Sequence, residues 1–556
     1  MRFPQFTCNV SYLLLAMAVI FSDVQNLCAQ VVAPPVTLKE GVKTVATDLV
    51  TECEASGFTK YTPYENMVSF MEEVQKRSTE MKLASYGKSA AGRDLPYAIF
   101  SRPAINQPWE ALVSGKPIVV CNANVHGGEK TYRESCLLLL RDLATPGTDA
   151  NKLLDDLVIL VIPSLNPDGF VRNTRGNEWG IDMNRDYMKL EQKALSNLVQ
   201  NIHHTWHPHL IIDGHNGGSA PYNLCYQAAS HAASDLQLTA ICDHGIFLAI
   251  NEEMEKNGYK SFYYSNGSKE SWKGGGFEPR ISRNYSSMAN SIGILFESPP
   301  AGQNIEVAVK SGVIGYQAVL EYTAKNSDQV IQVVNNARRD TTKMGMYPKG
   351  RSVVVQMKYE AEDFPVTYEV REDGKYITIK DGKIIKKPVA TKVRPRPYAY
   401  ILPPQAKAAI EMLSRHKISV EQLREPVTVD VSAYTLSDIV YQSEYDHAAA
   451  VNVKVGKVIQ QTKTFPAGSF VVYTSQSMGR VVCHMLEPES NDNVIHWNTM
   501  DALLPKSQIE RNKEASSKQG SANPRQNRRQ DSEPVIPIFK VMERTPLPTK
   551  IMTIYG

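Results

Sequence analysis

The sequence predicts an α/β fold, a mixed β-sheet flanked by helices, followed by a mainly β second domain. Three observations lead there. Short apolar runs such as residues 116–122 and 210–213 read as buried strands. They alternate with longer segments of helical periodicity, the pattern of a sheet covered on both faces. Beyond about Asn336 the helices give way to short β-rich runs separated by Gly, Pro and Asp. A chain of 556 residues is long for one core, so two domains also agree with its length.

In chain order, residues 64–81 carry apolar side chains at helical spacing and end before Gly87-Lys88-Ser89. A turn at Gly92-Arg93 leads into a strand at 95–100. Strands at 116–122, 157–162, 210–213 and 292–296 alternate with helices at 134–143, 190–204, 234–256 and 307–325. This first domain is expected to span 50–336. A β-rich domain over 345–506 then contains strands at 353–356, 367–371, 376–379, 427–431, 451–455 and 470–474. One helix, 404–415, interrupts them. Residues 507–534 are polar, basic and poor in apolar side chains, which predicts a disordered linker. Residues 535–556 form a final strand and tail.

Hydrophobic residues make up 42% of the chain and charged residues 21%, ordinary for a globular protein. The net charge of +3, from 61 basic and 58 acidic residues, leaves no broad electrostatic footprint for nucleic acid or anionic lipid. Residues 1–30 read as an export signal: Arg2 supplies the positive end, and the apolar run at 12–21 is shorter than the ~20 residues a membrane span needs. The mature chain is therefore expected in a periplasm or outside the cell, with a lipid-anchored form through Cys28 the weaker alternative. No later segment is apolar enough to span a membrane. The six cysteines beyond residue 30 form no CxxC pair, so they predict buried thiols rather than a cysteine metal site.

Four segments carry chemistry. In Cys121-Asn122-Ala123-Asn124-Val125-His126-Gly127-Gly128-Glu129 a buried strand ends, and a His and a carboxylate emerge three residues apart from a Gly-bearing loop. His and Glu are suitable zinc ligands, and a catalytic zinc takes three protein ligands with one position open. A second strand ends at Asp213-Gly214-His215, where α/β sheets gather functional groups. Asp213 has two readings, support for His215 or an anchor for the loop. The third segment places Arg172, Arg175, Asp182, Asn184 and Arg185 beyond the turn Asn166-Pro167-Asp168-Gly169. A planar Arg fork suits a carboxylate, and a cation suits an oxyanion. In the fourth, Glu297 closes an apolar strand, where a carboxylate is costly unless paired or used.

Together, in this order, the four segments resemble the zinc carboxypeptidases, the family that includes the digestive carboxypeptidases A and B. The resemblance covers about residues 61–325. It implies one zinc ion per chain, held by His126, Glu129 and His215, with Glu297 as general base and then acid. It implies Arg175 at the scissile carbonyl, Asn184 and Arg185 at the substrate's terminal carboxylate, and Asp182 behind His126. The substrate would be a peptide or peptide-like molecule with a free C-terminal carboxylate.

The chain also departs from the digestive members. Gly128 stands where they place an Arg, and Asp186 where a second Asn is usual. The family's mobile active-site tyrosine is assigned to Tyr285. Arg280 and Arg283, in the loop that forms the specificity pocket in the family, suggest an acidic terminal residue, unless they pair with Glu278 or Asp213. Two other functions stay open: a zinc amidase acting on peptidoglycan stem peptides, and an inactive binding protein on the same fold.

Overall fold

The computed structural model describes residues 49–299, 304–505 and 533–552. The expected export signal, residues 1–30, lies outside them, as do all but the last two residues of the expected linker at 507–534.

The chain lays down β1 (Met81–Lys88), β2 (Asp94–Phe100), β3 (Ile118–Ala123), β4 (Val158–Ile162), β5 (Leu210–Asn216), β6 (Leu224–Ala228), β7 (Ser261–Tyr263), β8 (Ser265–Gly267), β9 (Ser271–Gly274) and β10 (Ile292–Ser298). All but β8 and β9 join one mixed sheet in the order β1-β2-β4-β3-β5-β10-β6-β7. Its middle is parallel, β4 with β3, β3 with β5 and β5 with β10, while β2 and β6 run antiparallel to it. Successive side chains of a strand point to opposite faces, and here both faces are buried. Ile118 and Val120 enter one core, Val119 and Cys121 the other. This two-sided burial is why these runs are continuously apolar in sequence.

Helices Tyr64–Arg77, Thr131–Ala144, Phe247–Lys256 and Ile305–Lys325 close one face through Met67, Leu137, Ile250 and Val319. Helix Lys193–Leu198 begins the cover of the other, through Leu195 and Leu198. One expected helix ends early, and one further helix is added. The first helix stops at Arg77, because Ser78 turns extended (φ −119°, ψ 138°) and Met81 starts β1. The helix expected to end at Lys325 is followed at once by another, Ser327–Met346.

The mainly β region follows, with β11 (Ser352–Ala361), β12 (Val366–Glu372), β13 (Lys375–Pro395), β14 (Ala399–Leu402), β15 (Glu421–Leu423), β16 (Val427–Glu444), β17 (His447–Phe465), β18 (Phe470–Tyr473), β19 (Phe539–Val541) and β20 (Thr549–Ile551). Seven of them form a sheet in the order β17-β16-β19-β14-β18-β15-β20. The others join β8 and β9 in a five-stranded sheet, where β13 pairs with β9 from Lys383↔Ser271 to Ile385↔Lys273. One sheet thus takes strands from both sides of the expected boundary. The apolar core beneath helix Lys193–Leu198 likewise runs on through Val353, Leu402, Ile410 and Trp497.

Arg480, on helix Gly479–Leu486, bonds Asp235 Oδ2 (2.8 Å), Thr341 Oγ1 (3.0 Å) and the Ala233 carbonyl (3.1 Å) across the same junction. Calorimetry should therefore record one cooperative unfolding transition. Arg480→Ala should lower stability by about 1–3 kcal/mol, since it removes three hydrogen bonds across the junction, one of them charge-assisted to the half-buried Asp235. Two well-separated transitions in the unaltered protein would show that the regions fold independently.

Candidate metal centre

Three adjacent parallel strands deliver the site. With β5 between β3 and β10, the register sets Glu297 opposite His215 and Ala123 opposite Gly214. Their carboxyl ends finish together, at the edge where α/β sheets collect ligands. Beyond β3 the chain turns through Asn124 in the left-handed region (φ 63°). The Asn124 amide reaches back to the carbonyls of His126, Gly127 and Glu129 at 3.0, 3.1 and 2.8 Å, which ties the loop into a knot. Gly127 has no room for a side chain: a Cβ there would lie 2.0 Å from the Gly169 carbonyl carbon. The close approach packs this loop onto helix Pro167–Arg172, whose N-cap Asn166 accepts from the Gly169 amide.

The candidate ligand atoms of His126, Glu129 and His215 all lie within 4.8 Å of one another. Glu129 Oε1 is 2.8 Å from His126 Nδ1, Glu129 Oε2 is 2.9 Å from His215 Nδ1, and the two Nδ1 atoms are 3.1 Å apart. Behind the rings, His126 Nε2 meets Asp182 Oδ1 at 3.0 Å, and His215 Nε2 meets Asp213 Oδ2 at 3.0 Å. An imidazole that gives its Nε2 proton to a carboxylate presents a bare Nδ1. Two bare nitrogens at this distance repel unless a proton or a cation lies between them. Two imidazoles and one carboxylate are a zinc donor set, so the residues fit that metal. Asp213, with two readings in the sequence, lies behind His215 as Asp182 lies behind His126, and Asn122 Nδ2 holds its other oxygen at 2.8 Å.

The electrostatics agree with this geometry. Burial opposes the charge on Glu129, but the two imidazoles outweigh it and hold the carboxyl well below the usual range. Asp182 is likewise held low against burial, by His126, Arg175 and Arg185. Its carboxylate also accepts from the Asn184 amide at 2.8 Å. Arg175 donates to Asp182 Oδ2 (3.0 Å) and Glu129 Oε1 (3.2 Å), while 45% of its side chain stays exposed. Asn184 Nδ2 lies 3.4 Å from His215 Nε2, and its Oδ1 accepts from the Ser282 amide. Arg185 is half-buried beside it and donates to the Asn184 carbonyl.

Glu297 is buried, and its Oε2 has no hydrogen-bond partner among the described residues. Burial, opposed by His215 and reinforced by Glu129, raises its carboxyl well above the usual range. A Cβ on Gly217 would come within 2.9 Å of Glu297 Oε2, so a bare backbone is what lets this loop close on the carboxylate.

The structure does not bring Tyr285 to this cluster. It is 0% exposed, its ring lies tilted against Tyr187 at 5.5 Å, and it donates its hydroxyl to His416 Nδ1 at 2.8 Å. Its helix, Ser282–Met288, is buried at every position, so a sequence pattern gives it no free face. The half-buried Tyr264 is instead within electrostatic reach of Glu297 and Glu129. Arg280 is spent elsewhere too: it pairs with Glu444 at 3.2 Å and Asp492 at 3.5 Å, both from the β-rich region, rather than with Glu278 or Asp213. Arg283 is buried near Glu297, with one N–H on the Gly276 carbonyl.

Comparison with known proteins points the same way. Residues 67–270 match the zinc carboxypeptidase family model. Carboxypeptidase 2 of Trichophyton rubrum is 25% identical over 476 residues, which cover 79% of this chain and 85% of that protein. The catalytic chain of human carboxypeptidase N is 30% identical over 145 residues, 23% of this chain and 30% of its own. Among solved structures, a metallo-carboxypeptidase of Pseudomonas aeruginosa aligns at a TM-score of 0.39 and 21% identity, covering 49% of this chain and 71% of the other.

If Asp182 and Asp213 orient the two imidazoles, Asp182→Asn and Asp213→Asn should each weaken zinc affinity by about 10- to 100-fold, read by competition with a chromogenic chelator. Unchanged affinity in both variants would remove the two carboxylates from the site. Asp186 allows a separate test. Its Oδ2 accepts from the Gln192 amide, its Oδ1 is buried with no partner among the described residues, and burial pushes its carboxyl up to about 7. A folded-state value above the unfolded one means that the native state binds the extra proton, so stability falls as pH rises from about 4 to about 7. Asp186→Asn should therefore raise the melting temperature at pH 8, by the equivalent of about 2–4 kcal/mol, and the gain should vanish toward pH 4. A gain independent of pH would assign the effect to packing.

Proposed function

Because residues 67–270 form a zinc carboxypeptidase domain, we propose that this chain is an exported zinc-dependent exopeptidase that cleaves the C-terminal peptide bond of peptides with a free carboxylate. The observation that carries this reading is one end of the sheet, where strand ends and the loops beyond them gather a two-imidazole, one-carboxylate cluster, a buried carboxylate whose Oε2 has no partner among the described residues, and two arginines. A zinc ion held by His126, Glu129 and His215 supplies polarisation of the scissile carbonyl and acidification of the attacking water.

The chain's own side chains do the rest. Glu297 accepts the proton of the attacking water and returns it to the leaving amine; burial, which favours its protonated form, suits that second step. Arg175, clamped by Asp182 and Glu129 but open to the cleft, stabilises the charge that develops on the carbonyl oxygen. Asn184 and Arg185 receive the terminal carboxylate, for which the guanidinium offers a planar pair of donors. Export rests on the pattern of residues 1–30. No helix among the described residues is long and apolar enough to cross a membrane.

With zinc loaded, Glu297→Gln should lower kcat by about 10²- to 10⁴-fold while metal content stays at one ion per chain. Peptides with a free C-terminus should be cleaved and their C-amidated counterparts should not. Equal rates on the two would defeat the exopeptidase reading in favour of an amidase, and muropeptide substrates in the same panel would identify stem peptides as its target.

A further inference from the structure

The mainly β region reaches the edge of the metal centre. Strands β16 and β17 form a long hairpin whose tip is Tyr445-Asp446. Its base belongs to the seven-stranded sheet, but its tip lies against the segment that carries Asp182 and Arg185. Asp446 takes a left-handed backbone conformation (φ 52°), and its Oδ2 accepts from the Asp182 amide at 2.7 Å. Before the turn, Glu444 Oε1 pairs with Arg280 at 3.2 Å. After it, His447 stacks edge-on against Trp497 at 5.1 Å and bonds Asn498 at 2.7 Å.

Between these anchors stands Tyr445. Its ring lies 5.2 Å from the guanidinium carbon of Arg185, and 46% of the residue is exposed. It is also within electrostatic reach of Arg175. Docking alone does not explain this placement. The residues on either side hold the hairpin down, while the aromatic ring stays open to solvent beside the half-buried Arg185 guanidinium.

We propose that the hairpin tip is a wall of the substrate cleft and that the Tyr445 ring contacts the C-terminal residue of the bound peptide beside its carboxylate. The ring steadies the Arg185 guanidinium from one side and leaves its N–H edge for the carboxylate. An amphipathic phenol also offers apolar area to the peptide's last side chain at little cost in conformational entropy. Specificity at that position then comes in part from the second region of the chain. The inference rests on the exopeptidase reading, in which Arg185 receives the terminal carboxylate.

The test is steady-state kinetics of the zinc-loaded full chain on paired free-acid and C-amidated peptides, for wild type, Tyr445→Ala and Tyr445→Phe. Tyr445 is exposed at a hairpin tip, and a melting temperature for each variant separates folding from binding. On free-acid peptides, Tyr445→Ala should raise KM about three- to tenfold with kcat within about twofold, and Tyr445→Phe should stay near wild type. Unchanged KM in Tyr445→Ala overturns the proposal, as does a loss confined to kcat, or a Phe variant as impaired as Ala. In each of these cases, wild-type preference for the free acid leaves the exopeptidase reading intact. Loss of that preference in wild type takes both down together.

Discussion

The metal centre depends on two buried carboxylates that turn two imidazoles toward each other. Asp182 and Asp213 each take one ring nitrogen, so the opposite nitrogen of each His must face Glu129. Charges buried this deeply are costly, and they persist only where partners compensate them. Asp182 illustrates the compensation: His126, both Arg175 contacts and the Asn184 amide converge on one carboxylate. One side chain thereby couples ligand orientation to the arginine in the cleft. A change at Asp182 perturbs both at once.

The same logic extends outward from the sheet. The parallel register of β3, β5 and β10 delivers His215 and Glu297 side by side without help from any loop. Loops supply the remainder: the knot around Asn124 carries His126 and Glu129, and the stretch beyond helix Pro167–Arg172 carries Arg175 to Arg185. The mainly β region packs over the sheet face that also holds Tyr187 and Tyr285. From there the β16–β17 hairpin reaches the segment that carries Asp182. A region without recognisable chemistry of its own in the sequence thus stands next to groups that have it.

How much was legible follows from where the information lies. Two-sided burial wrote β3, β4, β5 and β10 into the sequence as apolar runs, and the chemistry-bearing residues sit in the last residues of β5 and β10 or in the loops beyond β3 and β4. The pairing of Asp213 with His215 was half legible, since residues two apart on a strand share a face but not always a partner. Tyr285 misled because a tyrosine at a plausible distance from Glu297 carries no mark of which face of its helix is buried, and here every face is. The long strands β16 and β17 read as short ones, since their outer halves alternate with polar residues and a bulge interrupts their register. For Arg280 the sequence offers an acidic terminal residue or pairing with Glu278 or Asp213; its partners, Glu444 and Asp492, come from far along the chain, where pairing is set by tertiary packing alone.

The five-stranded sheet has a consequence for the order in which the protein is made. Synthesis delivers β8 and β9 early, yet the edge of β9 finds its partner only after residues 383–385 have been made. Until then the nascent chain carries an unsatisfied strand edge, the kind of surface that pairs with other chains. The contacts of the hairpin tip with the Asp182 segment and Arg280 come later still, because they wait for residues 444–446. A ribosome that stalls between the two regions would release a chain with His126, Glu129 and His215 in place and neither a closed five-stranded sheet nor the hairpin contacts. The residues of the candidate metal cluster are therefore all made well before the strands that close the five-stranded sheet.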